Sequence, residues 1–278
     1  MRTSQRTRKR KPPPNKYVDM AARAALRCLE GGTEPPTDLF ALAHMRRVKK
    51  IYLRPMVGEG ATYAVNGGFE IAVRDRIRDE VIRLDLDDPR RPPLEARQRF
   101  TLAHEIAHTL YYDLNKQRPV LINDSPRGDM LEAFCNRAAG MFLLPDALLR
   151  ADLAGRPVSL EALRWLSRRY RASSSAVIRR IDELGIVKPE DHAIIYTERR
   201  ADEVEIVAAF VPPPLQVVLP RPKPYITKLR TWGRSFITTE FWTSQLWRRE
   251  VDVYGLKLCV EKRTGEIGDA FYLEISVV

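Results

Sequence analysis

Cysteine is nearly absent from this chain, with three in 278 residues at Cys28, Cys135 and Cys259. An odd number at wide spacing builds neither a disulfide framework nor a cysteine-based zinc knuckle, so all three are expected to be reduced. Histidine is almost as rare, with four, which makes any pairing of two informative. Long apolar runs are missing as well. Nothing approaches the ~18 uninterrupted apolar residues of a membrane helix, and the basic N-terminus is followed by prolines instead of an apolar signal core. No membrane role and a cytoplasmic location are the expectation. What is present, 44% hydrophobic and 30% charged residues, excludes fibrous, collagenous and wholly disordered classes. The length suits two or three domains.

The net charge of +11 is unevenly placed: residues 1–16 carry +7, residues 155–188 carry +5, and the rest is close to neutral. Residues 1–16, with Arg8-Lys9-Arg10-Lys11 before Pro12-Pro13-Pro14, cannot bury apolar surface and are expected to form a disordered basic arm. The alanines and leucines of Asn15–Arg27 fit a helix stopped by Gly31-Gly32, and Asp38 can cap a second over Leu39–Met45. Short β-favouring runs follow at Ile51–Leu53, Ala61–Val65 and Phe69–Val73, with Gly67-Gly68 as a hairpin signal and Val81–Leu84 as a weaker strand. Leu94–Tyr112 and Met130–Leu144 read as amphipathic helices around a polar loop. Residues 159–184 hold two more, capped by Ser159 and Ser173 and separated by Arg171-Ala172-Ser173. Beyond His192 the texture turns to β at Ala193–Thr197, Val204–Val211, Leu215–Leu219, Leu256–Glu261 and Ala270–Val277, with a helix near Glu240–Arg249. The fold class is α+β. The expected domains are 17–154, the helical pair 155–188, and 189–278.

His104-Glu105-Ile106-Ala107-His108 is the H-E-x-x-H pattern. Residues four apart share a helix face, so both imidazoles can reach one metal ion while Glu105 addresses a water. In a chain with four histidines, chance supplies that pattern about four times in a thousand such compositions. A catalytic zinc takes three protein ligands and keeps a position open. Glu132, on the next predicted helix, comes back beside the histidines if the two helices are antiparallel, and Asn136, one turn on, can hold a ligand in place through a hydrogen bond. Asp113, Asp124 and Asp129 in the loop are the weaker alternatives. Such a site permits amide hydrolysis with Glu105 as the catalytic acid–base, and the substrate would lie along an edge strand, for which Phe69–Val73 is the candidate. Zinc suits the donors, and manganese or iron can also be held by two imidazoles and a carboxylate. No second oxyanion donor stands out; Tyr111 and Tyr112 equally suit the core. His44 and His192 read as ordinary lone histidines, and Cys135 as a small buried hydrophobe.

Arg97 to His108, then Glu132-Ala133-Phe134-Cys135-Asn136 and Phe142-Leu143-Leu144-Pro145, resemble the ImmA/IrrE family of metallopeptidases, specifically across about residues 60–148. The resemblance implies a minimal thermolysin-like zincin domain with zinc on His104, His108 and Glu132 and with Glu105 as the catalytic glutamate. The order of parts is similar to the IrrE (PprI) branch of radiation-resistant bacteria, which implies a helix-turn-helix at 155–188 and a GAF-like α/β domain at 189–278. In that reading the second helix of the pair offers Arg179 and Arg180 to DNA phosphates; in the other, the pair only packs the peptidase against the tail. The tail itself reads as a sensor or as a β-rich scaffold, with Trp232, Trp242 and Trp247 as core aromatics. Two functions follow: a metal-dependent, site-specific endopeptidase that cuts a helix-turn-helix repressor in a stress or mobile-element response, or a DNA-binding regulator whose peptidase-like part docks partners.

Overall fold

A computed structural model describes residues 34–123, 125–186, 192–200, 203–216, 247–253, 256–264 and 271–277. The basic arm, the helix expected over 15–27, Cys28, Asp124, Trp232 and Trp242 lie outside the described residues. The chain divides into two compact units at Phe142/Leu143, the short segment Glu34–Thr37 going with the second. It is mixed α+β, as expected. No helix among the described residues is long and apolar enough to cross a membrane.

The first unit opens with α1 (Leu39–Met45), whose first turn is capped by Asp38 Oδ1 accepting from the backbone of Phe40 and Ala41. Its sheet is built from β1 (Val48–Arg54), β2 (Gly60–Val65), β3 (Gly68–Arg74) and β4 (Ile82–Leu84) in the order β2-β3-β1-β4. The chain leaves β1, reaches the outer edge as β2, and turns back to insert β3 between them, parallel to β1. The turn uses Gly67 at φ +80, where an L side chain is strained, and a Cβ on Gly68 would run into the Arg47 carbonyl. Alternation then sorts the faces. Ile51, Leu53, Phe69, Ile71, Val73 and Leu84 are all buried, whereas the opposite face carries the Lys50–Glu70 pair at 2.9 Å. Against the sheet lie α1 and α2 (Ala96–His108), the latter packed on β2 and β3.

The expected helix 94–112 ends early. After His108 a 3-10 turn covers Thr109–Tyr111, and β5 (Tyr112–Asp113) pairs with β6 (Val120–Leu121). Thr109 ends it from both sides: its hydroxyl donates to the Ile106 carbonyl at 2.6 Å, and its own carbonyl accepts from Arg46 at 2.6 Å, where helix continuation would need an amide from four residues on. Then comes α3 (Asp129–Leu143).

In the second unit Pro145 starts α4 (Asp146–Leu153), an element not foreseen in the sequence. The two helices expected after it are α5 (Leu160–Tyr170) and α6 (Ser174–Leu184), with Ser159 accepting from Ala162 N and Ser173 from Ala176 N. Five strands, β7 (Ala193–Arg200), β8 (Glu203–Phe210), β9 (Trp247–Val253), β10 (Leu256–Thr264) and β11 (Phe271–Val277), form an antiparallel sheet in the order β8-β7-β11-β10-β9. Glu274 on β11 accepts from the first helical amide of α5, Leu160 N, at 3.0 Å and pairs with His192 at 2.7 Å. Two expectations are corrected. Leu215 lies in a short helix, α7 (Pro213–Gln216), begun by prolines pre-set to helical φ, and Trp247–Arg249, expected to be helical, open β9, paired along β10; residues 217–219 and 240–246 lie outside the described residues.

Arg179 and Arg180 do not face outward as a phosphate-binding pair. Arg180 sits among Val177, Ile178 and Ile181 on the buried side of α6 with 2% exposure, and its guanidinium is engaged by Asp146, by Glu183 at 2.9 Å and by the Leu144 carbonyl at 3.3 Å. Arg179 donates to the Val207 carbonyl on β8 at 3.1 Å. The helical period that buries Val177 and Ile181 carries Arg180 in with them. Removing one partner of a buried pair strands the other's charge, so Arg180→Ala is expected to cost about 3–5 kcal/mol. Denaturant unfolding of the full chain checks this, and Arg180→Met should be milder because it keeps the packing volume.

Candidate metal centre

Helix α2 begins with a capping box in which Glu95 N donates to Gln98 Oε1 at 3.1 Å and the Glu95 side chain returns the bond. Apolar side chains then bury it nearly all round, with Leu102, Ala103, Ile106 and Ala107 at no exposure. The two histidines take the remaining stripe, one turn apart. His104 Nε2 and His108 Nε2 stand 3.1 Å from each other. Helix α3 is anchored through buried Phe134, Cys135, Ala138 and Ala139, which leaves Glu132 and Asn136 on its other side. Glu132 Oε2 lies 3.1 Å from His104 Nε2, and its Oε1 lies 3.6 Å from His108 Nε2.

These separations test the fit of a metal. Ligands about 2.0–2.1 Å from a tetrahedral ion stand roughly 3.3 Å apart, and the three donors are spaced 3.1–3.6 Å apart. Asn136 Oδ1 lies 2.9 Å from His104 Nδ1; an amide oxygen can only accept, so the ring proton sits on Nδ1 and the Nε2 lone pair is left for coordination. Burial and the neighbouring His104 depress the basicity of His108, which keeps it neutral, against the opposing pull of Glu132. Of the alternative ligands, Asp113 Oδ1 accepts from Asn115 N at 2.9 Å in its own turn, and Asp129 opens α3.

Glu105 is 5% exposed. Burial pushes its carboxyl up to about 7, aided by the charge of Glu132 and opposed by a hydrogen bond from Thr62. That hydroxyl, on β2, lies 2.8 Å from Glu105 Oε2 and 2.9 Å from the Glu105 carbonyl. The strand comes closer still at Gly60, where a Cβ would meet Glu105 Oε1 at 2.5 Å. Neither Thr62 nor Gly60 has a local sequence signal, because the approach is made by strand order. Ligand atoms of His104, Glu105 and His108 lie within 4.8 Å of one another, so Glu105 shares the space beside the imidazoles.

The expected edge strand is also corrected. Phe69–Val73 lies inside the sheet, between β2 and β1, and β2 is the edge. Arg74 N donates to Glu59 O and Gly60 stands opposite Val73, a phase that turns the backbone of Ala61 and Tyr63 toward β3 and that of Gly60, Thr62 and Ala64 outward. The Ala64 carbonyl is taken by Arg118 Nε at 3.0 Å. Gly60 and Thr62 therefore present the outward amides and carbonyls beside Glu105. Tyr112 packs edge-on against Phe69, 5.2 Å between centroids, and Tyr111 is a half-buried phenol whose acidity burial weakens. Cys135 is fully buried, its thiol pushed up by desolvation. Asn136→Ala removes the acceptor that orients His104, so zinc affinity is expected to fall about 10–100-fold with the helical signal unchanged, measured by competition with a chromogenic chelator.

Residues 94–182 match the family model of the IrrE N-terminal-like domain. No curated protein matches the chain. A solved structure of a Mycobacterium tuberculosis transcriptional regulator aligns over 95% of this chain and 90% of that chain at 16% identity with a TM-score of 0.47, a likeness too distant to carry fold or function across. The matched segment contains His104, Glu105, His108, Glu132 and Asn136, so the residues of the metal centre lie within the part of the chain that is similar to the IrrE N-terminal-like peptidase domain.

Proposed function

We propose that the chain is a metal-dependent, site-specific endopeptidase whose substrate is a helix-turn-helix repressor. The observation that supports it most directly is the convergence of His104, His108 and Glu132 at tetrahedral spacing next to a buried Glu105. Those three residues would hold the ion, zinc by donor preference and manganese or iron by capacity. A divalent ion there supplies Lewis acidity, polarising a carbonyl and acidifying water. Glu105 takes a proton from the attacking water and passes it to the leaving amine, so water is added across the C–N bond and an acid and an amine result. A buried carboxyl whose proton affinity is raised by desolvation suits both halves of that exchange, and Thr62 holds its Oε2. The substrate chain adds to β2, pairing with the outward backbone of Gly60 and Thr62.

The repressor as substrate follows the ImmA/IrrE resemblance, as does a transcriptional output in stress or mobile-element control. In this reading residues 17–154 are the zincin domain, 155–188 the helix-turn-helix, and 189–278 a GAF-like module; a cytoplasmic location goes with it. Glu105→Gln keeps the shape of the site and removes its base. It is expected to lower cleavage by at least roughly 10²–10⁴-fold with metal content unchanged. The check is intact mass of any helix-turn-helix repressor found encoded beside this gene after incubation with metal-loaded wild type and variant. A single cut by the wild type alone supports the peptidase; an uncut repressor with zinc, manganese and iron would overturn it.

A further inference from the structure

The strand that would receive the substrate begins inside a cluster of arginines. Glu59, immediately before Gly60, has Arg76 Nη2 at 2.6 Å and Arg74 Nη1 at 3.5 Å on Oε1, and Arg97 Nε at 3.0 Å on Oε2. Three elements supply these cations: the end of β3, the segment after it, and the first turn of α2. Arg54 stands beside Arg74 in the parallel β1–β3 register, and its buried Nε has no acceptor among the described residues.

One carboxylate cannot satisfy this group. A guanidinium is matched best by two parallel bonds to one carboxylate, but Glu59 divides its oxygens among three partners and gives none of them both. Arg76 and Arg97 each keep most of their five donors, and they are 48% and 63% exposed at the side chain. The cluster is left with two uncompensated charges, placed one residue from the point where Gly60 touches Glu105.

We propose that Arg76, Arg97 and Arg74 form a specificity subsite for an acidic side chain of the peptide substrate, with Glu59 as an internal stand-in for it. This rests on the peptidase reading above. A strand added antiparallel to β2 runs from the Val65 end toward Gly60, so its residues beyond the scissile bond on the C-terminal side come level with Glu59. An aspartate or glutamate there gains a bidentate guanidinium partner beside Gly60. The same cations repel a basic residue at that position, so the subsite selects by both signs.

The test is a cleavage profile of a trypsin-digested bacterial proteome, incubated with the full-length zinc-loaded protein and read by mass spectrometry of the new termini. Wild type is expected to enrich Asp or Glu within three residues C-terminal to the cut. Arg76→Glu with Arg97→Glu should lower kcat/KM roughly tenfold for an acidic peptide chosen from that profile relative to its glutamine counterpart, with the helical signal and zinc content retained. Glu59→Gln, which removes the competing carboxylate, should sharpen the preference. Cutting by wild type with no acidic enrichment, or an enrichment that survives the charge reversal, overturns the subsite and leaves the peptidase standing. No cutting of either the digest or the repressor by protein that holds its zinc sinks the peptidase reading, and the subsite with it.

Discussion

Everything at the centre of this molecule depends on holding two imidazole nitrogens and a carboxylate within 3.1–3.6 Å of one another. In the unprotonated form that binds a metal such groups do not attract: two lone pairs and an anion at that distance repel unless a cation lies among them. The arrangement must be imposed from outside, and the means are ordinary packing. Leu102, Ala103, Ile106 and Ala107 fix the rotation of α2, and Phe134, Cys135, Ala138 and Ala139 fix that of α3. With both helices locked, His104, His108, Glu132 and Asn136 can only face each other. Asn136 then settles which nitrogen of His104 carries the proton, a choice that packing alone leaves open.

Glu105 obeys a different constraint. A buried carboxylate needs a donor, and α2 cannot provide one because its amides are spent on the helix. The donor comes from β2, through Thr62, and the need for that contact ties the edge of the sheet to the site. Gly60 completes the approach, since any side chain there would displace the carboxylate. One strand thus tunes the acid–base group with a hydroxyl and offers outward backbone next to it. In the proposed peptidase, a substrate pairing with β2 would be aligned by the same strand that hydrogen-bonds its general base.

This division explains what could be read in the sequence. The H-E-x-x-H spacing, the return of Glu132 and the link to Asn136 are all governed by helix periodicity within and between consecutive helices, and the structure brings those four residues together. The strands of the first unit were legible from their β-branched runs and from Gly67-Gly68. Their order was not. Placing β3 inside and β2 at the edge is a matter of which strand pairs with β1, and alternation within a strand carries no trace of its neighbours. Thr62 and Gly60 were invisible for the same reason. Helix α4 has no separate sequence signal because Pro145 reads as the end of α3, although a proline that stops one helix can begin the next.

The +5 of residues 155–188 shows how a window of sequence can mislead about a surface. Two of its arginines answer acids that lie just upstream of the window: Arg180 meets Asp146, and Arg169 meets Asp152 at 2.8 Å. Asp152 also accepts from Tyr170 at 2.8 Å, and Arg156 and Arg169 lie over the Trp165 ring at 4.1 and 5.5 Å. These contacts join α4 to α5 and α6, so the positive charge is in part the internal glue of a helical layer. Residues 17–154 show the converse: with twenty basic and twenty acidic side chains, they gather three arginines around one glutamate at the start of β2. Local excess arises from what the fold brings together, and a charge count along the chain sees neither the pairing that hides a cluster nor the convergence that makes one.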